Sequence, residues 1–411
     1  MMSSCYKRIL RTGIHDKFWS GGICGCQGKH GIHQNPRINK SSYKISSSAL
    51  SDQMSSYESA FEISASRIRF GRGSTREVGM DVNELNVQKV LLISDKNLES
   101  LPSLTVVLDS LQKYNPFLTL SVYTNVNIEP TDTSMHDAIQ HALNFQPDLY
   151  IAFGGGSVID TAKVANLYAS LPDSEFLDFV NAPIGKGDPV PSHKLRPMIA
   201  LPTTAGTGSE TTGTAIFDYA PLNAKTGISS RALKPTLAII DPNNMDTLPF
   251  GVRVSSGMDV LCHALESYTA RSYLHRKAPT SPMHRPAYQG ANPMSDVWAL
   301  ETLRIMGKHF VESALSENVF SRDQIALAST YAGVGFGNAG VHLPHALSYA
   351  VSTSSVQLKD SVRTGYSHTG YDPNYPLVPH GVSVVLSAPA VVRQTAYTNV
   401  HRHAEILDAL G

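Results

Sequence analysis

Asp259 and His263 stand four residues apart in the segment Gly257-Met-Asp-Val-Leu-Cys-His-Ala-Leu-Glu266, inside an apolar pattern of helical period. Side chains at i and i+4 lie on one face of a helix, one above the other. A carboxylate oxygen and an imidazole nitrogen so placed make half of a divalent-metal site. A zincin carries two histidines at this spacing, so the segment is not the metalloprotease motif. An exposed ion pair on a helix has the same spacing, and the pair alone does not separate the two. Cys262 lies between them but points off their face, as a small buried hydrophobe would.

A second chemistry is written in glycine and hydroxyl residues. Phe153-Gly154-Gly155-Gly156-Ser157 joins an apolar run to a helical pattern whose first turn holds Asp160. Glycines let the backbone turn sharply and approach a ligand closely. The helix start then offers free N–H groups and a positive dipole end to a phosphate. The loop is neither GxGxxG nor a Walker A sequence, and a plain tight turn reads the same way. Leu201-Pro-Thr203-Thr204-Ala-Gly-Thr207-Gly-Ser209-Glu210 leaves another apolar run and adds hydroxyl donors suited to a pyrophosphate. Asp95, at the end of Lys89-Val-Leu-Leu-Ile-Ser-Asp95, is placed either to accept from ribose hydroxyls or to cap the next helix.

The elements that must carry these residues divide in two. Lys89–Asp95, Thr119–Tyr123, Asp148–Phe153, Met198–Leu201 and Leu237–Asp241 are short apolar runs separated by helical stretches, one of them opening at Pro130. That alternation predicts a parallel sheet with crossover helices. Ligands in such sheets bind beyond the carboxyl ends of the strands, where all three nucleotide segments fall. Beyond about Thr247 the pattern is helical: Val252–Tyr268, Ser295–Leu315, Ser321–Gly333, Val382–Gln394 and Val400–Leu410, with irregular stretches at Arg271–Pro293 and Val356–Pro379. The expected organisation is a leader (1–50), a dinucleotide-binding α/β domain (60–246) and an all-α metal-binding domain (247–411). Ending inside a helical pattern, the chain reads as a truncated frame or a shortened terminal domain.

The first 50 residues hold eight Lys/Arg and one acid, Asp16, and are rich in Ser. That composition matches a mitochondrial transit peptide, here directed to the matrix. Without it, the 34 basic and 34 acidic residues of the chain become 26 and 33, a net charge of −7, which argues against nucleic acid as a partner. No run of 18 apolar residues predicts a membrane span. Three of the four cysteines (Cys5, Cys24, Cys26) lie in the leader, leaving only Cys262, so no disulfide framework is expected in the body.

Two further histidines, His345 in Val341-His-Leu-Pro-His-Ala-Leu-Ser-Tyr349 and His380 in Pro379-His-Gly381, complete a pattern with Gly-Met-Asp-x-x-x-His. With Gly154-Gly-Gly-Ser157, Gly206-Thr-Gly-Ser-Glu-Thr-Thr-Gly213 and Arg285-Pro-Ala-Tyr-Gln-Gly290, the chain resembles the iron-dependent (group III) alcohol dehydrogenases over residues 60–410. The resemblance implies a fold shared with dehydroquinate synthase, its site in a cleft between an α/β and a helical domain. It implies that Asp259, His263, His345 and His380 hold one Fe2+, with Zn2+ also compatible. It implies NAD(H), bound tightly by Asp95, Gly154, Gly155, Gly156, Ser157, Asp160, Thr203, Thr204, Thr207, Ser209 and Lys225. His345 is preferred to His342 because it precedes by four residues a position where the family has a further His.

That position is Tyr349, expected to act with Asp259 and His263 in catalysis. A phenol of pKa roughly 10 relays protons less readily near neutrality. The chain is most similar to a branch of the family that also has Tyr at this position, and that resemblance implies passage of hydride from a hydroxy acid, 4-hydroxybutyrate, through retained NAD(H) to a keto acid, 2-oxoglutarate. The competing readings are a cofactor-releasing alcohol dehydrogenase, a lyase of the dehydroquinate synthase kind, and a non-catalytic truncated chain. Ala346 stands where the family has Gly. Arg271, Arg276, Lys277 and Arg285, with Lys359, Arg363, Tyr366 and His368 in a longer insert, are expected to place cations near the cleft for a dicarboxylate. Family members often form homodimers.

Overall fold

Strand β4 (Leu149–Gly154) is buried at every position, which is what a six-residue apolar run covered on both faces must be. The computed structural model describes residues 57–357 and 378–411. The expected leader and the insert residues Lys359, Arg363, Tyr366 and His368 lie outside the described residues. In chain order the α/β part comprises β1 (Arg67–Phe70), α1 (Val78–Glu84), β2 (Lys89–Ile93), α2 (Pro102–Tyr114), β3 (Thr119–Tyr123), α3 (Asp132–Phe145), β4, α4 (Gly156–Ser170), β5 (Met198–Pro202), β6 (Thr214–Tyr219), β7 (Ala224–Ser229) and β8 (Leu237–Ile240). The helices that follow are α5 (Phe250–Thr269), α6 (Pro293–Leu315), α7 (Val319–Ala339), α8 (Leu343–Gln357), α9 (His380–Thr395) and α10 (Val400–Leu410).

Six strands form one parallel sheet in the order β1-β8-β5-β4-β2-β3. Alternate strand residues serve opposite faces. Val90, Leu92, Ile151 and Phe153 meet α1 and α2 through Val78, Val82, Leu104 and Val107. Leu91, Ile93, Tyr150 and Ala152 meet α3 and α4 through Ala138, Ala142, Val158 and Ile159. Because β2 pairs with β3 on one side and β4 on the other, the chain reverses its direction across the sheet there. A crevice opens at such a switch point beyond the strand ends.

The expected strands are all present, with ends shifted by a residue or two. The helix expected to open at Pro130 is capped by Thr131, whose side chain accepts from Ser134 N–H. Three features were not anticipated. Strand β1, four residues long and mostly exposed, pairs with β8 as the sixth strand of the sheet. Strands β6 and β7 form a separate antiparallel hairpin, whose mixed polar sequence does not alternate cleanly. Residues Leu343–Gln357 form helix α8, although Pro344 and a low amphipathic contrast mask it. The hairpin and α8 turn out to border the cleft.

Helix α5 is the spine of the helical part. Val260 packs with Met306 and Phe310 of α6, Leu265 and Tyr268 with Leu303 of α6 and Ile406 of α10, and Cys262 with Val384 and Ala388 of α9. Cys262 is thus the buried small hydrophobe expected. The first turn of α9 reaches α5 only because residue 381 is glycine: a Cβ there would lie 1.9 Å from the Ser255 carbonyl oxygen and 3.1 Å from Asp259 Cβ. A backbone carbonyl cannot swing aside as a side chain can. Gly381→Ala should therefore lower stability by about 1–3 kcal/mol, as overpacking does, and draw His380 away from Asp259; urea unfolding and metal titration of the variant measure both effects.

Candidate active site

Asp259 and His263 are 2% and 4% exposed, so they are not a solvated ion pair. Three imidazoles from three helices converge on Asp259 Oδ1. Nε2 of His345 on α8 is 3.4 Å away, Nε2 of His263 on α5 is 3.7 Å away, and Nε2 of His380 at the start of α9 is 3.8 Å away. Ligand atoms of Asp259, His345 and His380 all lie within 4.8 Å of one another. His263 approaches the same oxygen but falls outside that mutual group. Its ring is sandwiched, stacking on Phe336 at 3.9 Å and on His345 at 4.7 Å.

Asp259 Oδ1, His345 Nε2 and His263 Nδ1 are buried and lack any hydrogen-bond partner. Buried polar atoms are rarely left so. One divalent cation among these donors would satisfy the carboxylate oxygen and the His345 nitrogen together, so the residues fit the metal that the sequence pattern implies. One oxygen and three nitrogen donors suit Fe2+ or Zn2+.

The charges agree with that fit. Burial opposes ionisation of Asp259, but the surrounding imidazoles outweigh it and hold its pKa well below the carboxylate range. Burial lowers His263 to about 4 and depresses His380, leaving both neutral as ligands must be. His345 goes the other way. Burial works against its charge, yet Glu266 and Asp259 beside it raise its pKa to about 10. Without a metal, a proton on His345 plays the cation.

The nucleotide segments meet at the carboxyl ends of β4 and β5. These strands pair with Gly154 opposite Pro202, and Thr203 N–H donates to the Gly154 carbonyl at 3.1 Å. The loops that follow are therefore neighbours. Asp95, Gly155, Gly156, Ser157, Thr203, Thr204 and Thr207 line a cavity of about 510 Å³ that extends to Asp259 and His380. Gly154 lies beneath it, in β4. A Cβ on Gly156 would stand 2.6 Å from Thr207 Cγ2, so glycine is needed where the two loops touch. Asp95 faces the cavity but does not cap the next helix: its carboxylate accepts from Asn97 N–H at 2.8 Å in the turn after β2, whereas α2 begins at Pro102 behind Leu101, with no side-chain cap.

An adjoining cavity of about 490 Å³ is bordered by Asp160, Ser209, Lys225, Tyr349 and the metal-ligating candidates. Asp160 is largely engaged with the protein: Oδ1 accepts from Ser209 Oγ at 2.5 Å and Oδ2 from Ile216 N–H at 2.9 Å. Fully buried Lys163 donates to Ser209 Oγ at 2.7 Å and to the Thr214 carbonyl at 2.8 Å. Lys225 contacts Glu129 at 2.6 Å and Asp218 at 3.1 Å. Burial and the carboxylates Asp160, Asp218 and Glu266 raise the Tyr349 pKa against the pull of Lys225, so its hydroxyl stays protonated near neutrality.

The cations expected near the cleft are not in its described walls. Arg271, Arg276, Lys277 and Arg285 line neither cavity. Arg285 instead grips Glu58 at 3.0 and 3.1 Å, and Lys277 bridges to Tyr57 through its backbone. The reason is that the irregular stretch carrying them folds back on the chain near residue 58. Lys225 is the one Lys or Arg among the described residues that line either cavity. Sequence reasoning missed Glu266, Tyr288, Lys163 and Glu129. Glu266 could have been found: three residues after His263 and seven after Asp259, it returns to the same helix face.

The matches to known proteins follow this architecture. "Iron-containing alcohol dehydrogenase" describes residues 65–242, and the C-terminal part of the same family matches residues 287–355. The chain belongs to the iron-containing alcohol dehydrogenase family and is an iron-dependent oxidoreductase. Its relatives include mitochondrial hydroxyacid-oxoacid transhydrogenase of Rattus norvegicus, 52% identical over 354 residues, covering 86% of this chain and 73% of that one. The protein of the same name from Homo sapiens is 51% identical over 355 residues, with the same coverages. Among solved structures, 1,3-propanediol oxidoreductase superposes with a TM-score of 0.70 at 25% identity, over 86% of this chain and 80% of that one. A sulfoacetaldehyde reductase from Bifidobacterium kashiwanohense, solved with NAD+, shares the fold with a TM-score of 0.66 at 23% identity, over 86% and 85% of the chains.

A metal must displace the proton on His345. Metal binding near pH 8 should then release about one proton, and affinity should rise roughly tenfold per pH unit until the His345 pKa of about 10 is reached. Calorimetry in buffers of different ionisation enthalpy reads this directly. Asp259→Asn should bind metal far more weakly at every pH.

Proposed function

We propose that this protein is a hydroxyacid-oxoacid transhydrogenase, oxidising 4-hydroxybutyrate to succinate semialdehyde and reducing 2-oxoglutarate to D-2-hydroxyglutarate through one retained NAD(H). The observation that carries the reading is a single cleft joining the glycine-hydroxyl loops to the Asp259 cluster, in a chain half identical to transhydrogenases of that name. In this reading Asp259, His263, His345 and His380 hold iron, with zinc the competing ion. Gly155, Gly156, Ser157 and Thr207 receive the pyrophosphate, and Asp95 the ribose. Residues 60–246 and 247–411 act as the two halves of the cleft.

When bound, the metal supplies Lewis acidity toward a substrate oxygen and the nicotinamide carries the hydride. The chain supplies position. Asp259 and His380 border both cavities, so the nucleotide's reactive end and the substrate come together there. Phe336 and His263 form an apolar wall that excludes water beside the reacting atoms. Tyr349 remains a hydrogen-bond donor rather than a proton relay, which suits a pair of half-reactions in which alcohol and ketone exchange roles on one cofactor.

The basic, acid-poor first 50 residues and the word mitochondrial in the relatives' names support a mitochondrial protein, in the matrix. Among the described residues no helix is long and apolar enough to cross a membrane.

Iron-loaded protein incubated with 4-hydroxybutyrate and 2-oxoglutarate, without added NAD, should form succinate semialdehyde and 2-hydroxyglutarate in equal amounts. Product formation only after NAD is added, with NADH accumulating, would instead make it a dehydrogenase that releases its cofactor.

A further inference from the structure

We propose that Glu266 decides which nitrogen of His345 faces the metal, and so sets the affinity of the site. The inference rests on the reading of Asp259, His345 and His380 as metal ligands. Glu266 is on α5, 1% exposed, on the helix face that carries Asp259 and His263. Its two oxygens have different tasks. Oε1 lies 2.6 Å from His345 Nδ1. Oε2 accepts from the backbone N–H of His342 at 2.6 Å and, more weakly, from that of His345 at 3.4 Å. One buried carboxylate therefore ties the opening turn of α8 to α5 and holds the imidazole carried by that turn.

The chemistry follows from donor and acceptor count. An ionised carboxylate only accepts hydrogen bonds. When His345 is neutral, its single N–H must then sit on Nδ1, against Glu266, and its lone pair on Nε2. Nε2 is the atom that lies 3.4 Å from Asp259 Oδ1 and has no hydrogen-bond partner. The other tautomer would set a lone pair against the Glu266 carboxylate and turn an N–H into the site, leaving no ligand atom there. Outer partners of this kind orient metal-binding imidazoles and raise their basicity. Glu266 is a positioning residue: it touches a ligand of the metal, not the metal or the substrate.

Glutamine at this position breaks the arrangement with almost no change of volume. A carboxamide offers one acceptor oxygen and one donor NH2. Either the His342 N–H or the His345 Nδ1–H must then face a donor. Relief at Nδ1 moves the imidazole proton to Nε2 and blocks the ligand atom.

The test is metal affinity, read by titrating the metal-free chain with Co2+ and following its visible ligand-field bands. Glu266→Gln should remain folded by circular dichroism and bind Co2+ about 10- to 100-fold more weakly. A folded variant that binds as tightly as the parent overturns the proposal. Asp259→Asn is titrated alongside. If it too binds like the parent, the metal reading itself fails, and that result is distinct from failure of the Glu266 role alone. Should Glu266→Gln not fold, the unaltered chain answers the question. Imidazole 15N resonances of the zinc-loaded protein, with His345 assigned by difference from His345→Ala, should show a protonated Nδ1 and a metal-bound Nε2. The reverse assignment overturns the proposal.

Discussion

A carboxylate placed where water cannot reach it governs the architecture of this molecule. Asp259 is 2% exposed, with one oxygen unpaired and three imidazole nitrogens 3.4–3.8 Å from it. An isolated buried ion costs several kcal/mol, and only a partner of opposite charge offsets that. Helices α5, α8 and α9 are arranged to provide one. Gly381 lets α9 touch α5, Glu266 anchors the start of α8, and the hydrophobic contacts of α5 with α6, α7 and α10 keep the shared spine rigid. The helical part is in this sense a holder for one cation.

The sheet contributes the other half by topology. Its reversal between β2 and β4 leaves a crevice, and the parallel pairing of β4 with β5 brings Gly154–Gly156 beside Thr203–Thr207. The β6–β7 hairpin then closes one side of the cleft. It is fastened from below, because Asp160, Ser209, Lys163 and the Thr214 carbonyl form a single buried chain of hydrogen bonds. It is fastened at its edge by Lys225 with Glu129 and Asp218. Polar residues that look like ligand contacts in sequence are here also the rivets of the wall.

The electrostatics of the two cavities differ accordingly. Near Asp259 the protein sets buried carboxylates among three imidazoles, of which His345 holds the proton that a metal would replace. In the adjoining space Lys225 is already balanced by carboxylates, and the described walls offer mainly hydroxyl and amide groups from Asn181, Ser229, Tyr288 and Tyr349. Among the described residues that wall is built of hydrogen-bonding groups more than of net charge.

The parallel α/β core, the helical second part and the Asp259–His263 pair were legible in the sequence, because each depends on short-range periodicity or on a motif within one element; His345 and His380 entered only through the family resemblance. Asp259 and His263 share a helix face four residues apart; the glycine loop follows a strand directly. Tertiary structure alone decided what those elements meet. No local pattern says that Arg285 reaches Glu58 instead of the cleft, that Lys163 is spent inside a wall, or that the β6–β7 hairpin forms at all. Those outcomes come from contacts between residues far apart in the chain, where burial and hydrogen-bond satisfaction are settled jointly. Glu266 stands between the two cases: its helix face was legible, but its partner, the first turn of α8, was supplied only by the fold.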